Sequence, residues 1–217
     1  MNLQGKKINF LGDSITEGYG VSCAQARYPD RIAAKYGAIC RNYGISGTRI
    51  ARQHTPSEDP RHDLDFPSRV AEMDPDADIV VVFGGTNDYG HGDAPIGQPS
   101  DRTCDTFWGG LHVLYRSLIE KYPAAKIVIL TPLHRLNEDN PCGSKKSAPV
   151  GTLKEYVQII REAAEYYSLP VLDLFACSGL QPAVPVIQEK YVPDGLHPND
   201  EGQRILAELV GEFLCRC

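Results

Sequence analysis

Short apolar runs alternate with longer amphipathic stretches along the whole chain. The runs are 8–11 (Ile8 to Leu11), 39–43, 79–83, 127–130 and 171–174. Each is rich in β-branched residues, and most are followed at once by Gly or Thr-Pro. Near-continuous apolar strands of this kind are buried on both faces, which predicts a parallel sheet. The stretches between them repeat at helical spacing. Residues 28–36 carry Ile32, Ala33 and Tyr36 on one side, and 103–121 carry Leu111, Leu114, Tyr115 and Leu118. Residues 152–167 carry Leu153, Tyr156, Val157, Ile160 and Ala164. The last stretch, 199–214, carries Ile205, Leu206, Leu209, Val210 and Phe213, with Asn199 or Asp200 as its cap. A shorter helix is expected over 68–73. The alternation predicts an α/β protein, a three-layer α/β/α sandwich around a five-stranded parallel sheet. A reversal of strand order in such a sheet opens a crevice above the carboxyl ends.

The 217 residues contain no repeat, low-complexity tract or linker, so one domain over 1–217 is expected. The formal charge of −6 and the lack of a basic stripe argue against nucleic acid as a partner. No apolar run approaches the ~18 residues that a membrane span needs. The start, from Met1 to Lys7, lacks the apolar stretch of a signal peptide, so a cytoplasmic protein is expected. Seven cysteines without repeating spacing read as free thiols rather than a disulfide framework. No metal-ligand set and no phosphate-cradling glycine motif follows the first strand, so no cofactor is implied. Oligomeric state is left open.

The chemistry falls at the predicted strand ends. Ser14, in Gly12-Asp13-Ser14-Ile15-Thr16-Glu17-Gly18, follows the first run. An isolated Asp-Ser reads as a helix cap. The apolar strand before it and a distant partner loop turn the reading towards a nucleophile. That loop is Asp194-Gly195-Leu196-His197-Pro198, where His197 could take the Ser14 proton and Asp194 could hold the ring. Acyl transfer also needs hydrogen-bond donors where negative charge collects on oxygen. The Ser14 N–H, the Gly47 N–H and the Asn87 side-chain amide are the candidates, on three separate loops. Asp13 and Asp88 are expected to brace their own turns.

Together these blocks resemble the SGNH, or GDSL, hydrolase family. Gly12 to Gly18 is similar to that family's nucleophile block. Ile45-Ser46-Gly47 and Gly85-Thr86-Asn87-Asp88 are similar to its two oxyanion-donor blocks, and Asp194 to Pro198 to its acid–base block. All four lie in order between residues 12 and 198. The resemblance implies a flavodoxin-like fold and a metal-independent ester hydrolase working through an acyl-enzyme.

The polar, glycine-rich stretch between Asp88 and Asp105 leans towards a small polar ester, such as an acetylated carbohydrate. The alternatives are a lysophospholipase or thioesterase type of acyl hydrolase, or a non-catalytic flavodoxin-like binding module. His91, His134 and Arg135 are possible substrate contacts. Arg49 and Arg52 read as surface residues. Trp108 reads equally as packing or as a platform for sugar, and His62 has no partner that the sequence reveals.

Overall fold

Five strands pair side by side in the order β2-β1-β3-β4-β5, all parallel. A computed structural model describes residues 1–217. In chain order the elements are β1 (Lys7–Gly12), α1 (Ser14–Glu17), α2 (Tyr28–Tyr36), β2 (Ile39–Gly44), α3 (Phe66–Arg69), β3 (Ile79–Phe83), α4 (Thr86–Gly90) and α5 (Phe107–Lys121). Then follow β4 (Lys126–Leu130), α6 (Leu153–Tyr166), β5 (Val171–Leu172), α7 (Leu174–Cys177), α8 (Pro185–Tyr191) and α9 (Asp200–Arg216). No helix is long and apolar enough to cross a membrane.

The three layers follow from the two-residue period of the strands. In β3, Val80 and Val82 join a cluster with Leu111, Leu114 and Leu118 of α5 and Tyr156, Val157 and Ile160 of α6. Ile79, Val81 and Phe83 face the other way, into a cluster with Ile32 of α2 and Leu206, Val210 and Leu214 of α9. All five β3 residues are at most 2% exposed. Burying each such side chain is worth about 1.5–3 kcal/mol. The end of β3 therefore projects from a fully buried strand packed on both faces.

The sheet order reverses at β1: the chain steps to β2 on one side, then crosses to β3 on the other. The carboxyl ends of β1, β2 and β3 thus meet at one switch point, where open α/β sheets form crevices.

Several sequence expectations shift. β2 is an edge strand paired only with β1, and Ile39 is 49% exposed, so its run is not buried on both faces. The fifth strand stops at Leu172, because Asp173 turns its carboxylate back to accept from the Ala176 N–H and caps α7. The helix expected from 103 begins at Phe107, where the Thr106 hydroxyl accepts from the Gly109 N–H. The short helix expected over 68–73 is α3, followed by a 3₁₀ turn over Val70–Glu72. α1 and α4, each barely a turn long, carried no periodic signal at all.

Candidate active site

β1 ends at Gly12, where the chain turns sharply into α1. A Cβ on Gly12 would lie 2.0 Å from the Thr16 hydroxyl oxygen, so only glycine permits this approach. Asp13 caps α1, its carboxylate accepting from the Ile15 N–H at 3.0 Å. Because Asp13 takes that task, the Ser14 side chain is free of it. Burial pushes the Asp13 carboxyl up to about 7, against the pull of the Ile15 N–H and of Arg69.

The Ser14 hydroxyl lies 3.0 Å from His197 Nε2, across 183 residues of sequence. His197 Nδ1 lies 2.6 Å from one carboxylate oxygen of Asp194. The other Asp194 oxygen accepts from the Leu196 and His197 N–H groups at 2.9 and 2.7 Å. Burial works to raise the Asp194 carboxyl, but these bonds outweigh it and hold the group below its ordinary range. A carboxylate can only accept, so the network assigns the proton to Nδ1 and leaves the Nε2 lone pair facing Ser14. Tyr19 leans over the ring with its centroid 4.4 Å away.

Head and tail are stitched together beneath this contact. Gln203, wholly buried on α9, donates to the Ile15 carbonyl and accepts from the Tyr28 N–H, both at 2.9 Å. Asn199 caps α9 by accepting from the Glu201 and Gly202 N–H groups. Sequence patterning gave no hint of the Gln203 bridge, because a glutamine on an amphipathic helix reads as surface.

Three backbone or amide donors border the same place. Ser14 opens α1, so its N–H has no acceptor one turn back. Gly47 has φ +75° and its N–H donates to no group within the chain. A Cβ there would meet the His62 ring at 2.7 Å. Asn87, on α4 directly after β3, uses one Nδ2 hydrogen on the Thr48 carbonyl at 3.0 Å and has the second unpaired. The Gly47 loop is held from two sides. Glu17 accepts from the Ser46 N–H at 2.7 Å and from its hydroxyl. Asp88 accepts from the Ile50 and Ala51 N–H groups at 2.9 and 2.8 Å. Asp88 therefore braces the neighbouring loop rather than its own.

These groups share a cleft of about 350 Å³ lined also by Tyr19, Ser46, His62, His91, Arg135, Ser144, Lys145 and Leu196. A recess of similar size between α2 and α9 holds no serine, histidine or cysteine. Of the possible substrate contacts, His91 and Arg135 reach the cleft and His134 does not. His134 pairs with Glu138 at 2.8 Å and packs on Phe175, with ring centroids 3.8 Å apart. The terminal nitrogens of the buried Arg135 guanidinium donate to Thr86 and Ser144, and both His91 nitrogens are engaged, by Arg49 and Asn87. Arg49 overturns its surface reading: it is 3% exposed and pairs with Asp63 at 2.8 Å. Arg52 lies at the surface, and Trp108 is buried core beside His112. His62, Ser144 and Lys145 are cleft residues that the sequence did not single out; they come from irregular segments with no periodicity to read.

The model of the GDSL-like lipase/acylhydrolase family matches residues 10–205, which contain every group just described. The chain belongs to that family. The sheet order is that of a flavodoxin-like fold. A solved protein from Lactobacillus plantarum is 30% identical with a TM-score of 0.82, covering 98% of each chain. A lipase/acylhydrolase from Enterococcus faecalis shares the fold at 24% identity and a TM-score of 0.65, covering 96% of this chain and 95% of its own. An acetylxylan esterase of Xylanibacter ruminicola is 25% identical over 223 aligned residues, 94% of this chain. The chain spans only 42% of that relative's length.

Proposed function

We propose that this family member removes a small acyl group, most simply acetyl, from a polar ester such as an acetylated carbohydrate, with Ser14 as nucleophile. The observation that carries the reading is the unbroken line from the Asp194 carboxylate through His197 to the Ser14 hydroxyl, at 2.6 and 3.0 Å.

In this reading His197 Nε2 takes the Ser14 proton as Oγ attacks the ester carbonyl. Asp194 stabilises the imidazolium that results. Negative charge moves onto the carbonyl oxygen, where the N–H groups of Ser14, Gly47 and Asn87 are available to receive it. The tetrahedral species collapses, and the alcohol leaves with the proton from His197. Water then attacks the acyl-Ser14 ester, His197 taking its proton and returning it to Ser14 Oγ as the C–Oγ bond breaks, and the carboxylic acid and free enzyme are released.

Two observations support a short acyl chain and a polar alcohol. Among the cleft's lining residues only Tyr19 and Leu196 are hydrophobic, so few apolar side chains are there to hold a long acyl chain. The relative from Xylanibacter ruminicola is an acetylxylan esterase. Turnover of p-nitrophenyl esters from acetate to decanoate, alongside acetylated xylan, tests the proposal. The highest kcat/KM is expected for acetate, with acetate released from the xylan. A maximum at octanoate or longer would move the assignment to a lysophospholipase or thioesterase type.

A further inference from the structure

Asn87 is only useful as a donor if its amide points the right way round. Turned by 180°, it would present an oxygen to the developing oxyanion. Its orientation is set by two neighbours: Nδ2 donates to the Thr48 carbonyl, and Oδ1 lies 3.2 Å from His91 Nε2. The second contact has meaning only if Nε2 carries the ring proton.

Arg49 decides that. Its Nη1 lies 3.0 Å from His91 Nδ1. A guanidinium has donors and no acceptor, so Nδ1 must present its lone pair and the proton must sit on Nε2. The guanidinium cannot swing away. Its Nη2 is held by the Asp63 carboxylate at 2.8 Å, the His62 carbonyl at 3.0 Å and the Ser57 hydroxyl at 3.1 Å. Burial, with the charges of Arg49 and Arg135 close by, also pushes His91 down to about 4, so the ring stays neutral above that pH.

We infer that His91 is a positioning residue: Arg49 fixes it as the Nε2–H tautomer, and that proton locks the Asn87 amide with an Nδ2–H facing the carbonyl oxygen of the bound ester. The inference rests on the donor role proposed for Asn87. His91 touches no reacting atom and acts through Asn87 alone.

The test uses the full chain with p-nitrophenyl acetate. His91→Ala is expected to lower kcat about tenfold, the loss of one ordinary hydrogen bond, with KM within about twofold of wild type. His91→Gln, whose amide can donate from nearly the position of Nε2, should recover most of that loss. The Ala change should have no further effect in an Asn87→Ala background, because the group it positions is gone. The ring ¹⁵N shifts of the wild-type protein, assigned by comparison with His91→Gln, should report the Nε2–H tautomer of a neutral ring from pH 5 to 8. The inference is overturned if His91→Ala keeps wild-type kcat, if its loss persists undiminished in the Asn87→Ala background, or if the ring proton is on Nδ1. A Ser14→Ala protein as active as wild type would instead remove the esterase reading and this one with it, while the tautomer measurement does not depend on turnover.

Discussion

Three imidazoles border the cleft, and what binds Nδ1 sets two of them, His197 and His91, apart. His197 meets a carboxylate there, Asp194, so Nδ1 keeps the proton and Nε2 offers a lone pair to Ser14. His91 meets a guanidinium there, Arg49, so Nδ1 offers the lone pair and Nε2 offers a proton to Asn87. In the proposed reaction one ring accepts a proton, and in the inference drawn above the other holds one still. The ring chemistry is the same in both; the charge of one neighbour assigns the task. The carboxylates of the site show the same contrast. Asp194 is held low by the His197 and Leu196 donors despite partial burial, and Asp13, wholly enclosed, is pushed up to about 7.

The sharpest way to break the first half of the comparison is to remove what His197 serves. Ser14→Ala is expected to lower kcat on p-nitrophenyl acetate by about 10⁶-fold. Circular dichroism should show an unchanged fold, and retained turnover would strip His197 of its role as base. Asp194→Asn comes next. An amide can donate to Nδ1 and so permits the wrong tautomer, the one His91 has, and kcat should fall by about 10⁴-fold with KM little altered. A loss confined to KM would mean that Asp194 does not set the state of the ring. Asn87→Ala should lower kcat by about 10²- to 10³-fold, again in kcat rather than KM; a smaller fall in kcat than that of His91→Ala would reverse the order of dependence between the two residues.

The smallest effect concerns the carboxylates. The folded chain keeps a proton on Asp13 up to about pH 7, whereas the unfolded chain releases it near pH 4. The unfolded state therefore binds fewer protons in that window, and the contribution of Asp13 to stability falls as pH rises from about 4 to 7. Asn at that position can still cap α1 and does not titrate. The melting temperature of Asp13→Asn relative to wild type should thus rise by a few degrees between pH 5 and pH 7. An offset that stays constant with pH would show that Asp13 is ionised in the folded protein throughout.

The strands and the long helices were legible because their burial repeats with a period that the sequence displays. Val80 and Val82 alternate with Ile79, Val81 and Phe83, and each set has its own helix layer to meet. The residues at the site were most legible where they sit in a recognisable block, as Ser14, Gly47, Asn87, Asp194 and His197 do; outside the blocks, His91 and Arg135 reach the cleft as expected and His134 does not. His134 follows β4 just as Arg135 does, yet it turns to Glu138 and Phe175. Which of two adjacent side chains faces a crevice depends on the local path of the chain, and nothing periodic records that path. Arg49 misled for a related reason. An arginine in a loop reads as solvated, and its burial is made tolerable by partners from other turns, the Asp63 carboxylate, the His62 carbonyl and the Ser57 hydroxyl.

Local order therefore came from the chain alone: the alternation of strand and helix and the blocks at the strand ends, since each depends on neighbours a few positions apart. The protonation geometry was decided by the tertiary structure. Which nitrogen of each imidazole carries its proton follows from a single charged group, and for His91 that group, Arg49, lies 42 residues away in sequence. The contact between Ser14 and His197 is made where α9 packs against the first corner of the sheet, through Gln203. Hydrogen bonds act over about 3 Å, and the hydrophobic period along a chain records no contact of that range between segments that only folding brings together.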